Sequence, residues 1–470
     1  MILSLDEAHH FLDRLLDEGS AFAQLKCFRI KKKRNLTWQN GRLKTREFVS
    51  EEKWILRILH SGVWGVLVGD SFQDLLNSHQ QIASMVYELS KKMKPETVSV
   101  KDIMVSKPIR QLSQKSHEPD IMPTEDELAL LVQNLESICP SGTLIAYEDM
   151  RVEFNYWDSE HTRGENEYYN AQLNLTRYDA EHAQPVGDLA CHFSQNVEGP
   201  VSILQTNWLD KVRTWIEIQK QESFKGPAPE DMKWILTPTA FAKLIYATLG
   251  PTLCLERPEP FHEAMNPGVL IGTTITSKCL TLITSPNIVT TKPFLDQGGV
   301  PAKRVVLIEN GEIKSFILDR LSAHHLRRSL PIDMEKVLAG SSRTTNTNYR
   351  TRPDLQYMEA IPGDSIEKLW PQSHLHVHDV DVTRLNSLGD YFHVSIPNAL
   401  VSKYDGLHRR HVRKLDFNIC REELWMSLHA IDSQTEQVFL PVDGRFVQAE
   451  KFSTFLLPHA VFNGLPCTWS

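Results

Sequence analysis

No apolar run in this 470-residue chain approaches the length of a membrane span, so no helix is expected to cross a bilayer. The seven cysteines are odd in number and scattered without CxxC pairs. That excludes a zinc ribbon or a disulfide framework and points to reduced thiols in the cytoplasm. Positive charge is not in excess either. With 51 Lys and Arg against 59 Asp and Glu the net charge is −8, so general affinity for nucleic acid or an anionic membrane is not expected. No Gly-x-Ser-x-Gly elbow, phosphate loop, dinucleotide fingerprint, fixed-period repeat or long low-complexity tract occurs. Cys191-His192 are adjacent, but neighbouring strand residues face opposite ways, which disfavours a nucleophile–base pair.

What is present is an ordinary globular composition, 41% hydrophobic and 23% charged, with length for two or three domains. The chain opens on a capping box, Ser4 to Glu7, and an apolar stripe of Leu5, Ala8, Phe11, Leu12, Leu15 and Leu16; the early acids Asp6 and Glu7 argue against a signal peptide. Asn40-Gly41 and Ser61-Gly62 mark two hairpins, and a helix follows from about Ser71 to Lys92. The basic run Arg29 to Arg34 reads as a solvated edge strand. Residues 97–123 read as a linker with Pro108, Pro119 and Pro123, and Thr124 with Glu127 caps a helix through Leu128, Leu130, Leu131 and Leu135. A hairpin pair over 147–179 turns at Asp158-Ser159-Glu160-His161, and a helix around Trp208, Val212, Trp215 and Ile216 follows. Strands dominate after about 228, with hairpin signals at Asn310-Gly311 and Asp443-Gly444. The expected class is α+β. Covering helices and β-hairpins fill segments 1–96 and 124–226, joined by the 97–123 linker, and a β-rich domain fills 227–470.

Residues 237–250, TPTAFAKLIYATLG, form a well-marked helix. Thr237 suits the cap and Pro238 the first turn; Ala240, Phe241, Leu244, Ile245 and Leu249 share a face, and Gly250 is placed to end it. Downstream, KPFLDQGGVPAKRVVLIENGEIKSFILDRLSAHHL (292–326) and SRTTNTNYRTRPD (342–354) follow. These segments resemble the shared core of the TldD/PmbA family. The resemblance covers about residues 20–420 and is sharpest over 292–350. It implies a dimer and metal-dependent hydrolysis of small or unstructured peptides. The family's catalytic members carry a His-Glu-x-x-x-His zinc motif on the corresponding helix. Alignment on Gly250 and Gly299-Val300-Pro301 puts that motif on Tyr246, Ala247 and Pro251, none of which can bind zinc or act as general base. The family's Cys-Gly-Lys motif is missing as well, and Cys467 lies in the wrong context to replace it.

The resemblance therefore implies a zinc-ligand-free subunit. It would be a homodimer, or a heterodimer with a TldD-like partner that supplies the zinc. No cofactor is expected in this chain, no nucleic acid and no membrane. Arg343, Thr345 and Asn346 match a Thr-Asn-Thr-like family motif and are candidates to line a peptide cleft, with Arg343 available to a carboxylate. Two alternatives stand beside this reading. One is an active peptidase with a rebuilt metal site at His374, His376 and His378, which share one face of a strand. The other is a regulatory binding module. Phe261-His262-Glu263 begins like the zinc motif, but Pro267 interrupts any helix there, so it reads as a surface loop. NSLGDYF (386–392) reads as a structural turn, and His408 and His411 as solvent-facing strand positions.

Overall fold

A computed structural model describes residues 5–39, 42–60, 63–92, 112–114, 124–178, 185–195, 212–214, 216–217, 232–255, 271–288, 295–320, 322–323, 338–344, 351–363, 374–386, 390–402, 409–412, 415–441, 452–463 and 468–469. The described chain is α+β and strand-rich, as expected. Its first sheet contains β1 (Phe22–Gln39), β2 (Arg42–His60), β3 (Val63–Gly69), β4 (Leu112–Gln114), β5 (Thr143–Asp158), β6 (Arg163–Tyr178) and β7 (Pro185–Gln195). They run in the order β3-β2-β1-β5-β6-β4, with β7 also on β6. The first and middle segments thus share one sheet, because β1 pairs with β2 along one edge and β5 along the other.

That pairing corrects the reading of Arg29 to Arg34 as an edge. The run lies mid-sheet because both neighbouring strands carry acids opposite it: Arg29 meets Glu52 and Glu153, each at 3.2 Å, and Arg34 is paired with Asp149. The turns at Asn40-Gly41 and Ser61-Gly62 lie outside the described residues, but Gln39 opposes Arg42 and His60 opposes Val63, so both hairpins are in register.

Strand alternation divides this sheet chemically. Ala23, Leu25, Cys27, Trp54, Leu56 and Ile58 pack against α1 (Leu5–Asp17) and α2 (Phe72–Lys92). Farther along, α3 (Glu125–Ile138) covers Leu36, Ile145, Tyr147 and Leu173, joined by Val212 and Ile216. Its Thr124–Glu127 capping box forms as expected. Leu128, Leu131, Val132 and Leu135 face inward, whereas Leu130 is 52% exposed because its position falls off that three-and-four spacing. The opposite sheet face presents Phe28, Ile55, Phe154 and Tyr156 to Leu295 of the C-terminal half. Between them sit the buried polar residues Gln24, Lys26, Arg57 and Asp158.

The second sheet comprises β8 (Lys233–Leu236), β9 (Leu282–Thr284), β10 (Val305–Glu309), β11 (Glu312–Ile313), β14 (Tyr357–Ala360), β15 (His374–Arg384), β16 (Tyr391–Ser402), β17 (Arg409–Val412), β18 (Leu415–Cys420), β19 (Leu428–Pro441), β20 (Phe452–Phe462) and β21 (Thr468–Trp469). A separate ribbon pairs β12 (Ser342–Thr344) with β13 (Thr351–Pro353). Asn310 and Gly311 take positive φ values of 50° and 83° between Glu309 and Glu312, the tight turn their residue types favour. The helix beginning at Pro238 lies on this sheet and buries Phe241, Leu244, Ile245 and Leu249 among Trp234, Leu375 and Val377. No described helix is long and apolar enough to cross a membrane. The capping residue Ser4, Asp443-Gly444, Phe261 to Pro267, Trp208, Trp215, His408 and Cys467 lie outside the described residues, as do most of 97–123 and the side chain of Cys191.

One backbone contact fixes how the halves meet. Gly299 has φ +74°, and a Cβ there would fall 2.2 Å from the Tyr156 phenol. Gly272 has φ +83° with nothing within 4 Å of a Cβ. Gly299→Ala should therefore lose about 2–5 kcal/mol from backbone strain plus overpacking, and Gly272→Ala only about 1–2 kcal/mol from strain alone. Urea denaturation of both variants checks this; equal losses would mean that the Tyr156 contact is readily relieved.

Candidate functional site

Thr237 caps the helix by accepting the N–H of Ala240, and Pro238 occupies its first turn. The regular part, α4, runs Pro238–Leu244. Gly250 does not end the helix, which corrects that expectation. Residues Ile245–Leu249 make a widened turn, with the Gly250 N–H reaching back five residues to the Ile245 carbonyl, and a last helical turn continues over Gly250–Leu253. Pro251 sits inside that last turn. It has no N–H for the Ala247 carbonyl and its ring crowds that oxygen, so the helix opens just upstream. The Thr248 hydroxyl stitches the opened turn by donating to the Leu244 carbonyl at 2.7 Å while accepting the Trp425 indole N–H at 2.9 Å. A turn bonded between residues five apart also brings such residues toward one side. Tyr246 and Pro251 thus occupy a backbone that needs no bend at Gly250.

The side chains there do not fit a zinc ion. The Tyr246 hydroxyl donates to Asp354 Oδ1 at 3.0 Å, and Arg343 Nε lies 3.4 Å from Asp354 Oδ2. Arg343 and Asp354 are 4% and 8% exposed. A phenol engaged by an acid, an alanine methyl and a proline ring offer no imidazole or free carboxylate. The carboxylate that Arg343 meets is therefore one of this chain. Thr345 and Asn346 lie outside the described residues.

From the ribbon a buried polar array reaches across to the first sheet. Lys26, fully buried, donates through Nζ to Thr351 Oγ1 at 2.8 Å and Thr344 Oγ1 at 3.2 Å. Arg57 reaches the same Thr351 oxygen at 3.2 Å and Gln24 Oε1 at 3.3 Å, and Gln24 donates to the Tyr156 hydroxyl at 2.9 Å. Gln297 accepts the Thr344 N–H at 2.6 Å, while Asp296 accepts the N–H groups of Gly298 and Val300 at 2.8 Å each and the Ser342 hydroxyl. Burial raises the Asp296 carboxyl to about 6 against these donors. Burial likewise pushes the Cys27 thiol far up, so it is no nucleophile.

Sequence reasoning missed Asp354, Lys26, Arg57, Asp296 and Arg320. One signal was visible: Gln24 and Lys26 interrupt the apolar run of β1 on a single face. Partners hundreds of residues away were not.

The histidines of β15 behave differently from a ligand set. His374 is buried and His376 and His378 are half-buried; ring centroids step 6.5 Å from His374 to His376, 4.4 Å to His378, and 6.0 Å from His376 across to His459. Among the described residues no three His, Cys, Asp or Glu side chains converge as a metal ion requires. The strand is tied to α4 instead, since Thr237 donates to the His378 carbonyl and Lys243 Nζ lies 2.6 Å from Asp379.

A sequence profile described as the PmbA/TldA metallopeptidase C-terminal domain matches residues 229–468, just over half of the chain. The chain belongs to the PmbA/TldD family. No curated protein matches it in sequence. Among solved structures it is similar to TldE from Thermococcus kodakarensis, with TM-score 0.70 and 16% identity over 98% of this chain and 100% of that one. It is also similar to candidate DNA-gyrase modulators from Bacteroides thetaiotaomicron (TM-score 0.66, 14% identity, 99% and 100% covered) and Thermotoga maritima (0.65, 12%, 99% and 100%). At such identities these likenesses establish the PmbA/TldD fold, and nothing of activity.

Tyr246→Phe should lower the unfolding free energy by about 1–2 kcal/mol by removing one donor from the Asp354 carboxylate. A shift of the urea midpoint at constant slope reads it, and no shift would mean that the phenol–carboxylate contact is not formed.

Proposed function

We propose that this chain is the zinc-ligand-free subunit of a cytoplasmic peptidase that acts on small or unstructured peptides. It pairs with a TldD-type partner that brings the metal and the general base. The observation that supports this reading is the closed Tyr246–Asp354–Arg343 unit at the position where the family's catalytic members place their first ligand. A charge-balanced trio of that kind holds the helix against the ribbon and leaves no donor for a cation. In this reading the chain shapes the substrate chamber. Thr345 and Asn346, in the connection between β12 and β13, contact extended peptide, and Arg343 anchors the strand from which that connection leaves.

The fold likeness to TldE from Thermococcus kodakarensis accords with a non-catalytic partner role, but it is a likeness of fold alone. The descriptions of two other relatives as candidate gyrase modulators bring no DNA-binding expectation, because a net charge of −8 opposes phosphate contacts.

Hydrolysis of an unstructured peptide should be undetectable with this chain alone and appear when a zinc-bearing TldD-type subunit is added, with the two eluting together on gel filtration. Hydrolysis by the isolated chain, sensitive to chelators, would sink the proposal and return attention to His374, His376 and His378.

A further inference from the structure

The ribbon ends on one cross-strand pair. Thr344, the last residue of β12, lies directly opposite Thr351, the first of β13, and residues 345–350 connect them. A single ammonium from the other half of the chain bridges this pair. Lys26 Nζ donates to Thr351 Oγ1 at 2.8 Å and to Thr344 Oγ1 at 3.2 Å. One β1 side chain is thus bonded to both ends of the connection, across 318 and 325 residues of sequence. Two other side chains back the same ends. Arg57 Nη1 reaches Thr351 Oγ1 at 3.2 Å, and Gln297 Oε1 accepts the Thr344 N–H at 2.6 Å.

Packing alone does not call for a lysine at this place. Alternation along β1 puts Lys26 on one face with Phe22, Gln24 and Phe28. In register its neighbours are Ile55 of β2 and Tyr156 of β5, and all three side chains are 0% exposed. Burying an ammonium is costly, whereas an unbranched methionine would fill the same space beside Ile55, Phe28 and the Tyr156 ring. What methionine could not do is donate to two facing hydroxyls at once.

We propose that Lys26 is a positioning residue for peptide binding: it staples both ends of the 345–350 connection to the first sheet, so that one half of the chain sets the peptide-contacting part of the other. Two of the three ammonium donors, spent on Thr344 and Thr351, fix the separation of the ends and their place over the sheet. The positioning role rests on the peptidase reading above, which gives Thr345, the residue after Thr344, its contact with substrate. The staple itself does not depend on that reading.

Lys26→Met in the full chain tests both. Hydrogen exchange in peptides covering 341–353 should quicken about tenfold, the worth of a hydrogen bond to a charged group. The urea midpoint should stay at or above that of the wild type, because a buried charge has been removed. Thr344→Val deletes one acceptor, keeps the shape and should quicken the same exchange even if the methionine variant does not fold. With a zinc-bearing TldD-type subunit and a random-sequence decapeptide pool as substrate, KM should rise about tenfold in the variants with kcat little changed. Unaltered exchange in both variants would overturn the staple. Hydrolysis by the wild-type complex with KM unmoved in the variants would overturn the positioning role and leave the peptidase reading standing. No hydrolysis by the wild-type complex would sink that reading, and the positioning role with it.

Discussion

The Asp354 carboxylate is the contact on which the C-terminal half depends. One oxygen accepts the Tyr246 phenol from the opened helix, the other faces Arg343 of the ribbon, and its own N–H donates to the Ser341 carbonyl. The helix and both strands of the ribbon are thereby held at one point. The helix can tolerate its widened turn because it is fastened on both sides, to Asp354 through Tyr246 and to Trp425 through Thr248. Side-chain hydrogen bonds tie the helix to the ribbon and to Trp425.

The same logic extends outward. The first sheet is a middle layer, apolar toward its helices and mixed toward the C-terminal half, where Lys26, Arg57 and Asp158 are buried among Phe28, Ile55 and Phe154 and meet Arg320. Buried ion pairs add little net stability over well-packed apolar groups, but each fixes one geometry because leaving a charge alone is costly. A joint made this way holds the halves in a single register.

Local chemistry was legible in the sequence where the physics is local. Thr237-Pro238, the Thr124–Glu127 box and Asn310-Gly311 each satisfy backbone groups within a few residues, and each forms as read. The failures share a cause. Gly250 suits a helix end by residue type, yet the helix runs on to Leu253. Lysines in the basic run of β1 suit an edge that resists pairing, yet its acidic partners Glu52, Glu153 and Asp149 appear only once the strands are paired. The candidate site shows the same division. The residue types at Tyr246, Ala247 and Pro251 are plain in the sequence, whereas Asp354, 108 residues downstream, could not be assigned to Tyr246 without the fold.

The central claim is that hydrogen bonds among this chain's own side chains stand where its catalytic relatives use a metal. Zinc per chain, measured on protein purified without chelators or tag histidines and again after exposure to excess zinc and gel filtration, tests it most directly. The account predicts a value near zero in both cases. Close to one tightly held zinc per chain would contradict it.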